Sequence, residues 1–343
     1  MRKFLVPIMR NIFFIICLTI LFIVPSASFA QQTQIKGFVD FLTSYSDQDR
    51  KASFGFGEQD LFITSVLSDK ISFLGESVFK FTPGTPTDFS VSIERVIIKY
   101  NIKGNHNLIL GKIHTPLNYW NDTYHHGRVF FPTIDRPLLF AAYIIPLHTV
   151  GAGFQGHDFG KLKFGYDVFF GNGLGSEVMD NDKYKSVTAA VYIKPAERLR
   201  LGISWYNDVI SKGADVEGKT INWMVHQNLF SASVAHFGKK FELLAEGTAA
   251  VNRTDTTGSK TTLASYLYAG YKLKDKLVPY IRVDNLQYQT GEVYYNKDNT
   301  TSLVAGIRYE INYLAVVKLE YQYQHSELLH NTNKVTAQFA IGF

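Results

Sequence analysis

Cysteine is nearly absent from this chain of 343 residues, which contains a single one, Cys17. Cys17 lies in an apolar stretch close to the amino terminus, so residues 31–343 contain no thiol. Disulfide bonds and thiolate metal ligands are therefore excluded for that part of the chain, and so is catalysis by a cysteine nucleophile.

Long apolar runs are also missing after residue 30. The longest nearly apolar segment there is 138–147, about half of the roughly 20 residues that a membrane-spanning helix needs. The sequence after residue 30 therefore gives no indication of a helical membrane span.

A strong excess of one charge sign is missing as well. The whole chain has a formal net charge of +5, and residues 1–30 contribute Arg2, Lys3 and Arg10 without any acid, which leaves +2 for the rest. Nucleic-acid-binding proteins carry a much larger basic excess. We therefore expect no nucleic-acid partner.

The amino terminus has the pattern of a secretory signal peptide. Met1, Arg2 and Lys3 precede an apolar stretch at 12–24, which is followed by Pro-Ser-Ala-Ser-Phe-Ala at 25–30. The apolar core is shorter than the roughly 18 residues of a membrane anchor, and the small residues indicate cleavage after Ala30. We expect residues 1–30 to be removed on export and residues 31–343 to form a single domain.

Aromatic residues and strand-like alternation are abundant. The chain has 27 Phe and 20 Tyr, and apolar and polar residues alternate after residue 31 in segments of about nine to thirteen residues. Because side chains alternate between the faces of a strand, this pattern predicts an all-β chain. We predict sixteen strands, with fourteen or eighteen as alternatives, at 35–45, 57–67, 71–81, 89–101, 106–114, 149–157, 161–171, 185–194, 198–208, 222–236, 240–252, 261–273, 277–289, 300–311, 314–326 and 333–343.

The alternation in single strands separates apolar from charged residues. In strand 240–252, Leu243 and Ala245 lie on one face while Glu242 and Glu246 lie on the other. A soluble sandwich has the same period, so alternation alone does not identify the solvent on each face. Adjacent Glu94 and Arg95 interrupt the pattern, and we expect a β-bulge there.

The last nine residues, VTAQFAIGF at 335–343, place an apolar stripe on one face of a terminal strand. This ending resembles the closing strand of bacterial outer-membrane β-barrels, in which a C-terminal Phe follows alternating apolar residues. The resemblance implies a cell outer membrane location, contact with lipid, and recognition by the barrel assembly machinery through this strand. It assigns barrel closure, by pairing with strand 35–45, to Phe339, Ile341 and Phe343.

The connections between the predicted strands alternate between short turns and longer loops, which is also typical of outer-membrane barrels. The longest is 115–148, the third long loop. Its position and length resemble the constriction loop of sixteen-stranded porins, which folds into the barrel lumen. The resemblance implies a closed antiparallel transmembrane β-barrel with a homotrimer as the usual assembly. The candidate constriction residues are Lys112, His114, Tyr119, Trp120, Asp122, His125, His126, Arg128, Asp135 and Arg136.

Two interpretations of this loop stay open. Arg128 and Arg136 would favour anions, more so when His125 and His126 are protonated. Alternatively, Asp135 pairs with the neighbours of Arg136 and Asp122 pairs with a histidine, and these pairs anchor the loop. Its aromatic residues either pack on the wall or stack against sugar rings. The sequence has no H-x-x-x-H or similar spacing, so we expect no metal and no cofactor.

The remaining candidate lumen residues carry both signs of charge, which suits a weakly selective, water-filled pore. They are Lys80, Lys163, Arg200, Glu242, Glu246, Arg282, Arg308 and Lys318. We therefore expect a porin that lets small hydrophilic solutes or ions diffuse passively, and not an enzyme. The sequence G-K-I-H-T-P at 111–116 loosely resembles the phosphate-selective porin group, without its dense ladder of basic residues.

Two other functions are the alternatives. A lipid-modifying enzyme would use Ser231 or Ser233 with His236, although alternation places serine and histidine on opposite faces. A structural or adhesive surface barrel would bind through its loops.

Overall fold

The computed structural model describes residues 32–81, 88–124, 127–173, 180, 182–216, 219–295 and 298–343. The signal peptide predicted at 1–30 and the loop histidines His125 and His126 lie outside these residues. Within the described ranges, no helix combines the length and the apolar character that crossing a membrane requires.

The described chain folds into one closed antiparallel barrel of sixteen strands, together with a small two-stranded sheet formed by β10 and β11. The strands are β1 (Gln32–Ser46), β2 (Lys51–Val66), β3 (Ile71–Phe81), β4 (Phe89–Lys103), β5 (His106–His114), β6 (His148–Phe159), β7 (Phe164–Gly171), β8 (Ser186–Ala196), β9 (Leu199–Ile210), β10 (Asp215–Val216), β11 (Lys219–Thr220), β12 (Val225–Phe237), β13 (Phe241–Thr254), β14 (Gly258–Tyr271), β15 (Leu277–Tyr288), β16 (Thr300–Asn312), β17 (Ala315–Ser326) and β18 (Thr332–Gly342). Two short helices, α1 (Tyr119–Thr123) and α2 (Leu138–Ala141), lie between β5 and β6.

Successive barrel strands are hydrogen-bonded neighbours, with β9 pairing to β12 and β1 pairing to β18. The prediction of a sixteen-stranded, closed, all-β barrel is therefore confirmed. The expected bulge is present too, because the β3–β4 register shifts so that Glu76 faces Arg95 while Ser77 faces Ile93. Glu94 is the extra residue of that bulge.

Some predicted boundaries were wrong at the strand ends. The predicted loop 46–56 shrinks to 47–50, because β2 begins at Lys51. Lys163 was predicted on the lumen wall, but β7 begins at Phe164 and Lys163 lies in the preceding turn with φ 46°. A side chain in that backbone conformation cannot continue a regular strand.

The barrel presents large apolar side chains on its outer face and polar side chains on its inner face. In β16, Leu303 and Ile307 are exposed, whereas Ser302 and Arg308 are buried. Exposed apolar residues recur on nearby strands, for example Leu267 in β14, Ile281 in β15 and Leu319 in β17. An apolar outer surface of this extent suits contact with lipid rather than water.

The two ends of the chain close the barrel. Phe41 pairs with Phe339, and two backbone hydrogen bonds of 2.9 Å join Gly37 to Phe343. The alternation predicted for the last strand is confirmed, since Phe339 and Phe343 are exposed while Gln338 is buried. Closure pairs the backbone groups of the first and last strands, which would otherwise form open sheet edges.

Gly37 is fitted closely beneath the terminal aromatic ring. A Cβ atom added at Gly37 would lie 2.4 Å from the Phe343 ring and 2.9 Å from the backbone oxygen of Asp60. The ring could move aside, but the Asp60 backbone belongs to the paired sheet.

We expect Gly37→Ala to lower the free energy of unfolding by about 1–3 kcal/mol, as overpacking does. Gly55→Ala is the matched control, because a Cβ atom there meets nothing within 4 Å. The measurement is the temperature at which the folded, detergent-resistant form disappears on electrophoresis. Equal melting of the two variants would contradict the packing of Phe343 over Gly37.

Candidate functional site

The segment 115–147 connects β5 to β6 and is held together at its base. His114 pairs with His148 at the ends of the two strands, and the Thr115 amide donates to the Leu147 carbonyl at 3.0 Å. The Asn121 side-chain amide donates to the carbonyls of Thr115, at 2.8 Å, and Leu147, at 3.0 Å. This base fixes where the segment leaves the wall and returns to it.

The first part of the segment is bound to β13. The Trp120 amide donates to the Glu246 carboxylate at 2.8 Å, and the Asn118 side chain donates to the Thr248 hydroxyl at 3.2 Å. Glu246 thus caps backbone amides at the start of α1. Glu246 and Thr248 both belong to the inner face of the wall, and both are buried.

Three buried cations on the inner face of β15, β16 and β17 bind the middle of the segment. Arg282 donates to the Thr133 hydroxyl at 2.5 Å and to the Asp135 carbonyl at 2.7 Å. Arg308 donates to the Pro132 carbonyl at 3.2 Å. Lys318 donates to the carbonyls of Arg128, at 2.7 Å, and Thr133, at 3.1 Å.

Neighbouring carboxylates compensate these cations and bind the segment as well. Arg282 pairs with Asp284 at 2.9 Å, and Asp284 accepts the Leu138 amide at 3.1 Å. Arg308 pairs with Glu242 at 2.7 Å. The Ile134 amide donates to Glu320 at 2.6 Å. Buried charges persist when they are paired and hydrogen-bonded in this way, so the wall and the segment satisfy each other.

The segment also has an apolar core of its own. Trp120, Phe131 and Phe140 are almost fully buried and form one cluster with wall residues such as Leu244 and Tyr268. Trp120 makes edge contacts with Phe131 and with Tyr266 of β14, at centroid distances of 5.3 and 6.0 Å. These aromatic side chains therefore pack the segment onto the wall, as the packing interpretation expected.

Arg128 and Arg136 lie among carboxylates. Arg128 is 3.6 Å from both Glu58 and Asp135 and 3.7 Å from Asp40, while Arg136 is 3.9 Å from Glu58. Burial opposes the charged form of Arg128, but these three carboxylates outweigh it and raise the pKa of its guanidinium above the ordinary value. Nearby carboxylates thus compensate the positive charge of Arg128, and Arg136 shares Glu58 with it.

The other predicted residues near the base of the segment have structural partners. Lys112 donates to the Ile93 carbonyl at 2.7 Å, and Lys80 lies 3.4 Å from Glu58. The bulged Glu94 is 3.0 Å from a ring nitrogen of His148. The bulge therefore turns a carboxylate toward the base of the segment.

Asp122, predicted at the constriction, and Arg200, predicted on the lumen wall, form a pair that joins the segment to β9 on another side of the barrel. Their side chains are 2.8 Å apart, and the Arg200 guanidinium lies 4.0 Å from the ring centre of Tyr192 and 5.2 Å from that of Tyr119. The aromatic rings hold the guanidinium in place by cation–π contact.

Open space remains on the side of the barrel formed by β2 to β7. A cavity of about 370 Å³ lies there between the wall and the base of the segment. Its polar lining residues are Thr64, Ser65, Ser72, Arg95, Lys99, His114, Asp122, Gln155 and Asp167. The described part of the segment thus lies against the side of β12 to β17, and the polar space lies on the other side.

Sequence reasoning missed Asp40 and Glu58, the carboxylates that face Arg128. Asp40 sits at a strand position whose neighbours in the register, such as Ala340, also face inward. The alternation of β1 could have identified Asp40 as an inward-facing residue. The sequence could not predict its ion pair with Arg128, which is nearly ninety positions away. Among the described residues, no group of three or more His, Cys, Asp or Glu side chains is arranged to hold a metal ion.

No protein-family profile matches the sequence, and no curated protein matches it. Solved structures do match. An anion-selective porin from Comamonas acidovorans aligns with a TM-score of 0.67 at 10% identity, over 91% of this chain and 100% of that one. The outer membrane channel DcaP of Acinetobacter baumannii aligns with 0.63 at 13% identity, over 92% of this chain and 99% of that one.

OmpT of Vibrio cholerae, an outer membrane protein solved in a trimer form, aligns with a TM-score of 0.64 at 14% identity, over 92% of this chain and 100% of that one. Identities this low establish the fold alone. The chain has the sixteen-stranded barrel fold of bacterial outer-membrane porins, as the resemblance of its last strand suggested.

We expect Arg282→Gln to loosen the segment, because it removes three hydrogen bonds and leaves Asp284 buried without its cation. Breaking a buried pair costs about 3 kcal/mol. This raises the population of molecules whose segment has detached from the wall about a hundredfold. Trypsin cleavage after Arg128 of the folded barrel measures that population.

The matched control is Arg198→Gln, whose exposed pair with Glu197 at 3.4 Å is an ordinary surface ion pair. Its cleavage rate should equal that of the unaltered protein. If Arg282→Gln were cleaved equally slowly, the buried cations would not be what anchors the segment.

Proposed function

We propose that this protein is an outer-membrane porin that lets small hydrophilic solutes or ions diffuse passively, with the segment 115–147 as its constriction. The observation that carries the proposal is the bonding of this segment to inward-facing charges of β13 and β15 to β17. A sixteen-stranded barrel is wider than its own side chains can fill. A segment bound inside it narrows the lumen without sealing it.

The placement of the charges supports a water-filled path. The anchors Glu246, Arg282, Arg308 and Lys318 are buried beneath the segment, whereas Asp122, Arg200 and Asp167 border open cavities on the other side. Solutes would pass between the segment and the wall of β2 to β9. Size exclusion and the charges of that path would set which solutes cross.

The fold and its structural neighbours support a location in the outer membrane, where the exposed apolar side chains contact lipid. The trimer form of one neighbour supports a homotrimer. Recognition of the C-terminal strand by the assembly machinery fits the exposed Phe343 and the register of β18 on β1.

The alternative of a lipid-modifying enzyme receives little support from the proposed Ser–His group. The Ser231 hydroxyl shares a 2.8 Å hydrogen bond with Thr248 on the inner face of the wall. His236 is an odd number of residues away on the same strand, so it lies on the opposite face. No direct proton transfer between these two side chains fits this geometry.

We expect the purified protein to give stepwise ion conductance in a planar lipid bilayer. Replacing 118–146 with a short Gly-Ser linker should raise the single-channel conductance at least about twofold, because the constriction limits the current. The ends of that linker already meet, since Thr115 and Leu147 are hydrogen-bonded.

A matched control replaces 327–331, a connection at the same end whose hydrogen bonds join neighbouring strand ends. Its conductance should stay unchanged. Absence of any conductance from the folded protein, together with release of fatty acid from phospholipid, would replace the porin proposal with the enzyme.

We also expect the anion-to-cation permeability ratio to rise as the pH falls from about 8 to 5, because imidazoles become cations near pH 6.5. Replacing His125 and His126 with Gln should abolish that rise. A ratio that is flat across this range in the unaltered protein would remove the histidines from the control of selectivity.

A further inference from the structure

A second and larger cavity, of about 780 Å³, lies at the end of the barrel where the short turns are. The turn from β6 to β7 and the turn from β8 to β9 form its rim, and Tyr119 and Asp122 of α1 form part of its inner boundary. Five cations line it, Lys161, Lys163, Lys194, Arg198 and Arg200, against two carboxylates, Asp122 and Glu197. We call this cavity the turn-end vestibule.

Nearby acids compensate only some of the cations that line the vestibule. Lys194 pairs with Asp158 at 3.0 Å, and Arg198 lies 3.4 Å from Glu197. Lys161 and Lys163 are exposed and have no carboxylate partner among the described residues. With Asp158 counted, five cations face three acids, so the vestibule keeps a positive excess.

Arg200 stands where the vestibule meets the path through the barrel. It also borders a narrow space lined by Asn118, Asp167 and Ser204, and Asp122 borders that space and both large cavities. The Asp122–Arg200 pair therefore lies at the junction between the two cavities. A guanidinium in water-filled space next to low-dielectric walls acts on a passing ion more strongly than one in bulk water.

Arg128 and Arg136 are placed differently. Asp40, Glu58 and Asp135 lie within 4 Å of Arg128, and Glu58 lies 3.9 Å from Arg136. Only Asp122 pairs with Arg200 within the described residues, and no charge pairs with Lys161 or Lys163. The uncompensated positive field is thus at the turn end and not at the arginines of the segment.

We propose that the turn-end vestibule binds small, multiply charged anions of the inorganic phosphate type, and that Arg200 determines the charge selectivity of the pore. The proposal rests on the proposed porin function and names its solute class. Lys161 and Lys163 attract the anion at the rim. Arg200 binds the anion at the junction between the two cavities, and its interaction with Asp122 weakens in part.

The test measures chloride current through single channels in a planar bilayer while inorganic phosphate is added on each side in turn. Phosphate should reduce the current from the side of the short turns. Lys161→Gln with Lys163→Gln should raise the half-blocking concentration about fivefold, since each lost contact is of the exposed kind. Lys274→Gln with Lys276→Gln is the matched control, because both exposed lysines lie in the β14–β15 turn outside the vestibule.

The permeability ratio tests Arg200 in both directions. Arg200→Gln should lower the anion-to-cation ratio and Asp122→Asn should raise it, while Arg136→Gln should change it less than either. Detergent-resistant migration on electrophoresis checks that each variant has folded.

The outcomes separate the two proposals. If no variant conducts, the porin function fails. If the channels conduct but phosphate block is the same in the lysine variant and its control, the vestibule does not bind anions. If Arg136→Gln changes the ratio more than Arg200→Gln, the selectivity lies at the segment and the role of Arg200 is overturned.

Discussion

Everything in this molecule depends on closing a sixteen-stranded sheet upon itself. Closure by β1 and β18 pairs the backbone groups of both edges, and no backbone group in hydrocarbon can be left without a partner. Closure also defines the two faces, because alternate side chains must then point to lipid or to the barrel axis. The nine terminal residues and Gly37 form the closing contact. This explains why a single Cβ atom added at Gly37 would destabilise the barrel.

Closure also encloses charged side chains on the inner face, and these charges need hydrogen-bonding partners. Arg282, Arg308 and Lys318 are too deeply placed to be hydrated, and a carbonyl-rich segment supplies their acceptors. The segment in turn has backbone amides that Glu246 and Glu320 accept. Neither the wall nor the segment has its hydrogen-bonding groups satisfied alone, so the fold of one determines the fold of the other.

The architecture was readable from the sequence because it rests on a local rule. Alternation recurs every two residues, so the strands, their inner and outer faces and the closing pair could all be predicted, and even the bulge at Glu94 followed from two adjacent charges. The roles of the inner charges were not readable. Whether Arg282 lines open water or binds Thr133 depends on contacts between residues about 150 positions apart, and nothing in either local sequence reports them.

Because such distant contacts are not visible in the sequence, the sequence suggested a larger role in charge selectivity for Arg128 and Arg136 than their surroundings allow. Counting charges within 115–148 balances Arg128 and Arg136 against two acids and leaves the histidines to decide. The fold adds Asp40 and Glu58 to that balance, from strands that come long before the segment. Among the described residues, it adds no acid that pairs with Lys161 or Lys163. A pore senses the charges that face its water and lack a partner, so the position of the uncompensated charge matters more for selectivity than the number of charges in any one loop.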